Sequence, residues 1–246
     1  MIIFAIAWKE LQLYFTSFLF YALAAVFLVL SGYFFYTNLG YFVLMGGMNL
    51  PLGLWQWQFL DIRGLLIVLV PLLTMRLFAE ERKLGTLELL WTYPVRDVEI
   101  IAGKFVACLA IVTAMIAATV LHPLMVSRFY PVAVGPLVAG YLGLWLLAAA
   151  FVACGLAVSA LTESQLVAGA ATYGVLLFFW IITWNEAAVN EVTLQLLVPF
   201  SLFDRFHPFT RGAVDTQNVT YLVLFTLAFL ALTFFALDAR RWRGVR

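Results

Sequence analysis

The 246 residues are 65% hydrophobic and 17% aromatic, with 11% charged and a mean hydropathy of +1.03. Soluble domains carry about a quarter charged residues, so the solvent for most of this surface must be lipid. A formal net charge of +1 without a basic face argues against a nucleic-acid partner. Cys108 and Cys154 lie inside apolar runs, no CxxC pair exists and there are only two histidines. That excludes a metal-ligand cluster and reads both thiols as inert packing groups.

At the N-terminus, Lys9 and Glu10 interrupt the first apolar stretch, and the run that follows lacks a cleavage site of the expected form. No cleavable signal peptide is expected. Residues 2–16 carry Phe4, Trp8, Leu11 and Phe15 at helical spacing, with Lys9, Gln12 and Thr16 on the opposite side. This predicts an amphipathic helix along the cytoplasmic leaflet or, since nothing separates it from the next apolar run, an extension of the first span.

Charge-free runs predict transmembrane helices near residues 18–37, 103–123, 137–160, 165–184 and 219–238, each close to the roughly 20 apolar residues a crossing needs. A sixth, near 62–79, is bounded by Arg63 and Arg76, which are expected to snorkel to the headgroups from its ends. The fold class is therefore all-α, a polytopic membrane protein with six transmembrane helices in one domain spanning residues 1–246. An external loop over residues 38–61 is expected to place Trp55 and Trp57 in an interfacial belt.

Six spans put both termini on one side. That side collects Lys9, Arg76, Arg82, Lys83, Arg96, Lys104, Arg240, Arg241, Arg243 and Arg246, against Arg63, Arg128, Arg205 and Arg211 on the other. The excess of basic residues assigns both termini to the cytoplasm and the chain to a cell (inner) membrane.

The informative stretch is residues 80–104, EERKLGTLELLWTYPVRDVEIIAGK. Residues 86–91 form a short helix candidate with Leu87, Leu90 and Trp91 as an apolar ridge; Gly85 permits a turn before it and Pro94 prevents its continuation. Asp97 is placed to cap the next helix. A short helix with both ridge and charge suits docking into another protein's groove or, alternatively, resting on lipid headgroups.

The run MRLFAEERKLGTLELLWTYPVRDVEIIAGKF, residues 75–105, resembles the signature loop of type-2 ABC exporter permeases, most of all the gliding-motility GldF-like branch and its multicopper-enzyme-maturation relatives. The early WKEL, residues 8–11, is similar to the family's N-terminal helix, and VPFSLFDRF, residues 198–206, to its external helix region before the last span. The resemblance implies that Glu80, Glu81, Arg82, Gly85, Thr86, Glu88 and Pro94 form a coupling loop against a cytoplasmic ABC ATPase subunit. With the ridge residues Leu87, Leu90 and Trp91, these are the candidate site residues. Further expected partners are a second permease copy or close relative, membrane lipids and an accessory external protein.

Before the last span, Val189, Val192, Leu196 and Leu197 fall at helical spacing, followed by Pro199 and an aromatic stretch through Phe209. Short re-entrant helices and a helix on the outer surface both fit. His122 and His207 each precede a proline without a carboxylate or cysteine partner by spacing, which reads as structural.

No GxxxxGK[ST] occurs; Gly103 and Lys104 stand in AGKF, without the earlier glycine or the following Ser or Thr of a P-loop. The chain is thus expected to have no catalytic or cofactor site of its own, with ATP and Mg bound by the partner ATPase. GxSxG and HExxH are also missing. Few ionisable groups interrupt the spans, which disfavours ion coupling and favours a lipidic, amphipathic or polypeptide cargo. The small residues Ala148, Ala149, Ala150, Ala153, Gly169 and Gly174 offer close helix contact for a dimer, or equally between helices of one subunit. The alternative is a membrane-embedded lipid-modifying enzyme using polar residues at span ends, such as Glu163, His122 or Glu186, or an assembly scaffold.

Overall fold

The computed structural model describes residues 2–44, 50–86, 95–182 and 200–241. Among them there is no β-strand. The ten helices that follow are α1 (Ile2–Thr16), α2 (Phe18–Leu44), α3 (Leu50–Thr74), α4 (Ala79–Lys83), α5 (Asp97–Ala118), α6 (Leu121–Ser127), α7 (Val134–Leu161), α8 (Gln165–Ile181), α9 (Leu202–Thr210) and α10 (Thr216–Arg241). Five segments are long and apolar enough to cross a membrane: Phe18–Leu44, Gly53–Lys83, Asp97–Ser127, Val134–Leu161 and Thr216–Ala239. The shorter Gln165–Ile181 is apolar as well.

The centre of the bundle is α7. From Leu146 to Ala160 every side chain is buried, and α3, α5, α8, α9 and α10 pack around it. A helix apolar on all sides needs neighbours on all sides, and its alanines and glycines admit them closely. A Cβ at Gly155 would collide with the side chain of Thr74, one at Gly140 with the ring of Phe59, and one at Gly143 with Phe209. Ala148, Ala149, Ala150 and Ala153 are buried within this single chain, so these four pack the internal bundle. Nothing lies within contact distance of a Cβ at Gly174, and Gly169 meets Met75. By contrast, α2 and α10 turn large side chains outward, among them Phe18, Tyr36, Leu44, Leu227 and Phe235. These are the flanks that the chain itself leaves uncovered.

Three expectations are corrected. Residues 38–44 and 50–61 are helical parts of α2 and α3 rather than an external loop. Their polar interruption is satisfied inside the bundle, where Asn38 Nδ2 donates to Asp61 Oδ2 at 2.7 Å. Trp55 is accordingly buried and stacked on Phe35 at 6.4 Å, while Trp57 is exposed. Arg63 does not snorkel from a span end: it stands within α3 and is 5% exposed. Asp97 is the first residue of α5 and not its cap; Arg96 is the N-cap, and its N–H donates to Glu99 Oε2 at 3.0 Å. Glutamate at the third helical position satisfies that amide from inside the helix.

A break at Ser17 separates α1 from α2, and α1 packs mainly on α5. Ala7, Glu10 and Tyr14 face inward while Phe4, Trp8 and Phe15 are exposed. The N-terminal segment is thus a separate helix with an apolar outer edge. Near the other terminus, α9 packs into the bundle against α7, α8 and α3, with Phe206 and Phe209 fully buried, which favours the re-entrant reading over a surface helix. Residues 183–199, including Glu186, Val189, Val192, Leu196 and Leu197, lie outside the described residues.

Candidate functional site

Pro71 sits in the last turn of α3, and the helix ends at Thr74. Between there and α4 the ladder is interrupted: Leu77 N–H bonds to Thr74 O at 3.1 Å, leaving the Leu73 carbonyl without its usual helical donor. Buried carbonyls of that kind need partners. Three other helices supply them. Tyr14 of α1 donates its hydroxyl to Leu73 O at 2.9 Å, Ser159 of α7 donates to Met75 O at 3.1 Å, and Lys104 of α5 donates to Leu77 O at 2.8 Å. Ser159 Oγ also accepts from Phe78 N and Ala79 N, both at 3.1 Å, so one hydroxyl caps the start of α4. Burial pushes the Tyr14 phenol well above its ordinary pKa, which keeps it a donor.

Lys104 is the centre of this clamp. It is 1% exposed, and its Nζ meets Glu10 Oε1 at 2.8 Å and Glu81 Oε1 at 2.9 Å in addition to Leu77 O. Three donors therefore find three oxygens, the condition under which a buried ammonium is tolerated. Phe78 covers it at 5.2 Å. Gly103 explains how α1 comes near enough: a Cβ there would stand 2.7 Å from Ile6 Cγ2 and 3.2 Å from the Ile3 carbonyl. In AGKF the glycine admits α1 and the lysine holds it. Lys9, largely exposed, adds a looser contact to Glu81 at 3.7 Å.

Arg82 fastens the loop to the opposite flank. Its Nη1 donates to Ala160 O at 3.1 Å and Thr162 O at 2.8 Å, and its Nη2 meets Glu163 Oε1 at 2.6 Å. A cation on the last carbonyls of α7 also suits the negative end of the helix dipole. Arg76 Nη1 donates to Ser17 Oγ at 2.7 Å and lies 4.8 Å above the Tyr14 ring, tying the α1–α2 break to the same joint.

Of the candidate residues, Glu80 is exposed, Glu81 and Arg82 are engaged within the chain, and Gly85 takes the positive φ of +69° that its turn requires. Thr86 is exposed and donates to Glu81 O at 3.2 Å. Leu87, Glu88, Leu90, Trp91 and Pro94 lie outside the described residues. A cavity of about 480 Å³ opens between α1 and the loop, lined by Lys9, Arg76, Glu80, Glu81, Leu84 and Thr86 among others. Glu10, Tyr14, Lys104 and Ser159 are the partners that the sequence reading did not assign. Their one local signal was charge or hydroxyl within otherwise apolar helices.

Of the residues weighed for an enzymatic site, Glu163 pairs with Arg82 at the clamp, whereas His122 stacks on Phe35 at 4.6 Å and lies 3.5 Å from Gln58 Nε2. They are not brought together. Among the described residues no group of His, Cys, Asp and Glu could hold a metal ion.

The profile of the ABC-2 family transporter proteins matches residues 4–242, nearly the whole chain. The chain belongs to the ABC-2 transporter family. No curated protein matches it. Membership makes this a multi-pass permease subunit of an ABC transporter, a class that works with an ABC ATPase subunit.

Proposed function

We propose that this permease is the transducer and the pathway of an ATP-driven exporter. A cytoplasmic ATPase pair, binding ATP and Mg, moves two copies of the permease between inward-open and outward-open states through the loop at residues 80–94. The observation that supports this reading is the clamp around Lys104: Glu81 of the loop, Glu10 of α1 and Lys104 of α5 share one charge group, which ties the loop to both helices. Arg82 extends the same constraint to the end of α7.

Under this reading both termini lie in the cytoplasm, the membrane is the cell's inner membrane, and the cargo is lipidic, amphipathic or polypeptide. The loop sequence supports placement near the gliding-motility branch. Leu87, Leu90 and Trp91 fill a groove on the ATPase, and exposed charges such as Lys83 orient the encounter. Truncated aromatic anchors often cost about 2 kcal/mol or more and rim charges less. The test is co-purification of an ABC ATPase sought in the neighbouring reading frame, with cargo-dependent hydrolysis at equal expression. Trp91→Ala should weaken assembly more than Lys83→Ala, and Gly85→Pro should uncouple hydrolysis from transport. Normal assembly and coupling in all three would reduce the segment to a lipid-surface helix.

A further inference from the structure

Arg63 is set about 20 Å from Arg76 along the helix, at 1.5 Å per residue, on the side away from the clamp. Its neighbours Ile62, Leu65 and Leu66 are apolar and buried. The guanidinium is enclosed by rings, with Cζ 4.0 Å from the centroid of Trp180, 4.5 Å from Phe203 and 5.6 Å from Phe206. Neither Nε nor Nη1 has a hydrogen-bond partner among the described residues.

The rings hold the faces of the cation and leave edge donors unpaired. Aromatic faces offset only part of what an arginine loses on leaving water, and a charged side chain within a span marks a ligand or a route. Asp61, two residues earlier, accepts from Asn38 and acts on Arg63 by charge alone, so it leaves the guanidinium's edge donors unbonded. Asp204 Oδ2, an acceptor on α9, is itself buried and unpartnered, so it has not closed on the guanidinium. On the same helix, Arg205 Nε and His207 Nδ1 are buried without partners, and His207 stacks on Phe203 at 5.9 Å. On α8 next to Trp180, the apolar Ile181 is exposed, so the cage borders an apolar surface position.

We propose that Arg63, roofed by Trp180 and Phe203, binds the acidic headgroup of an amphiphile, a carboxylate or phosphate carried on an apolar tail. The planar guanidinium offers such oxygens a fork of donors, and the exposed apolar flank receives the tail. The inference concerns binding alone and does not depend on ATP coupling. A resident membrane lipid and a transported amphiphile present the same chemistry to it.

The full chain, purified in neutral detergent, is titrated with phosphatidylglycerol, phosphatidylcholine, decanoate and inorganic phosphate, with native mass spectrometry and thermal melting as readouts. The wild type should prefer phosphatidylglycerol to phosphatidylcholine by about tenfold, the size of a charge-assisted hydrogen-bond contribution. R63Q should lose the preference, R63K should keep part of it, and R128Q, at an exposed arginine, should behave as wild type. Without lipid, R63Q should melt no lower than wild type, because it removes an unpaired buried charge. Retention of the preference in R63Q would overturn the proposal. So would melting of R63Q and R63K far below wild type in all conditions, which would make the cation a purely structural piece. Displacement of the lipid by inorganic phosphate at equal concentration would overturn the amphiphile assignment. Decanoate competing alone would support a carried carboxylate, and only phosphatidylglycerol binding would support a resident lipid.

Discussion

Lys104 of α5 and Glu10 of α1, 94 residues apart in sequence, form a buried ion pair at 2.8 Å, and both side chains are under a tenth exposed. Removing one partner of such a pair leaves the other charge buried, at a cost of about 3–5 kcal/mol. Lys104→Ala should therefore destabilise the chain more than Lys9→Ala, whose side chain is 56% exposed. Thermal unfolding in detergent measures both. Adding Glu10→Gln to Lys104→Met should recover part of the loss, and strict additivity of the two would show that the pair is not energetically coupled.

Gly103 holds α1 against α5 by having no side chain. Gly103→Val should force Ile6 aside and cost about 1–3 kcal/mol, the range for overpacking. Shortening the obstructing residue, as Ile6→Ala in the Gly103→Val background, should restore part of the melting temperature. If the second change adds to the damage, the contact between these helices is not the limiting one.

The Arg82–Glu163 pair is asymmetric, since Arg82 has 6% of its side chain exposed and Glu163 74%. Glu163→Ala should change stability by less than about 1 kcal/mol, as surface pairs do. Arg82→Ala should cost more, because the Ala160 and Thr162 carbonyls then lose their donor. Equal losses in the two melting curves would contradict this division.

Cysteines introduced at Thr86 and Asp215, both exposed in the structure, should react with an impermeant maleimide from opposite sides of sealed vesicles. Thr86 belongs to the clamp end, while Asp215 precedes α10 at the end held by α9. Labelling of both from the same side would sink the six-span topology and the cytoplasmic termini with it.

Much of the helical architecture was readable from the sequence, because hydropathy is a local property that the surrounding solvent fixes residue by residue. The apolar runs around residues 18–37, 137–160 and 219–238 fall within long helices, 103–123 falls within the span Asp97–Ser127 that α5 and α6 make together, and Gly85 takes the turn its sequence context required. The limits of that reading show at Trp55 and Arg63. Both looked interfacial from their flanks and are buried, because residues 38–44 and 50–61 continue the helices that a composition rich in Gly and polar residues had suggested ending.

What sequence determined by itself, then, was the solvent, the helices and the charged loop with its glycine turn. Tertiary structure alone decided which of the few polar groups meet. Glu10, Glu81 and Lys104 carry no mutual signal along the chain, since their contact depends on α1 crossing α5 at a glycine and on α3 breaking just beyond Pro71. Arg63 likewise became a caged cation only when α8 and α9 laid Trp180 and Phe203 over it. Charges in an apolar bundle are too costly to leave unmatched, but helix packing chooses the match, and that choice is made by side chains far apart in sequence.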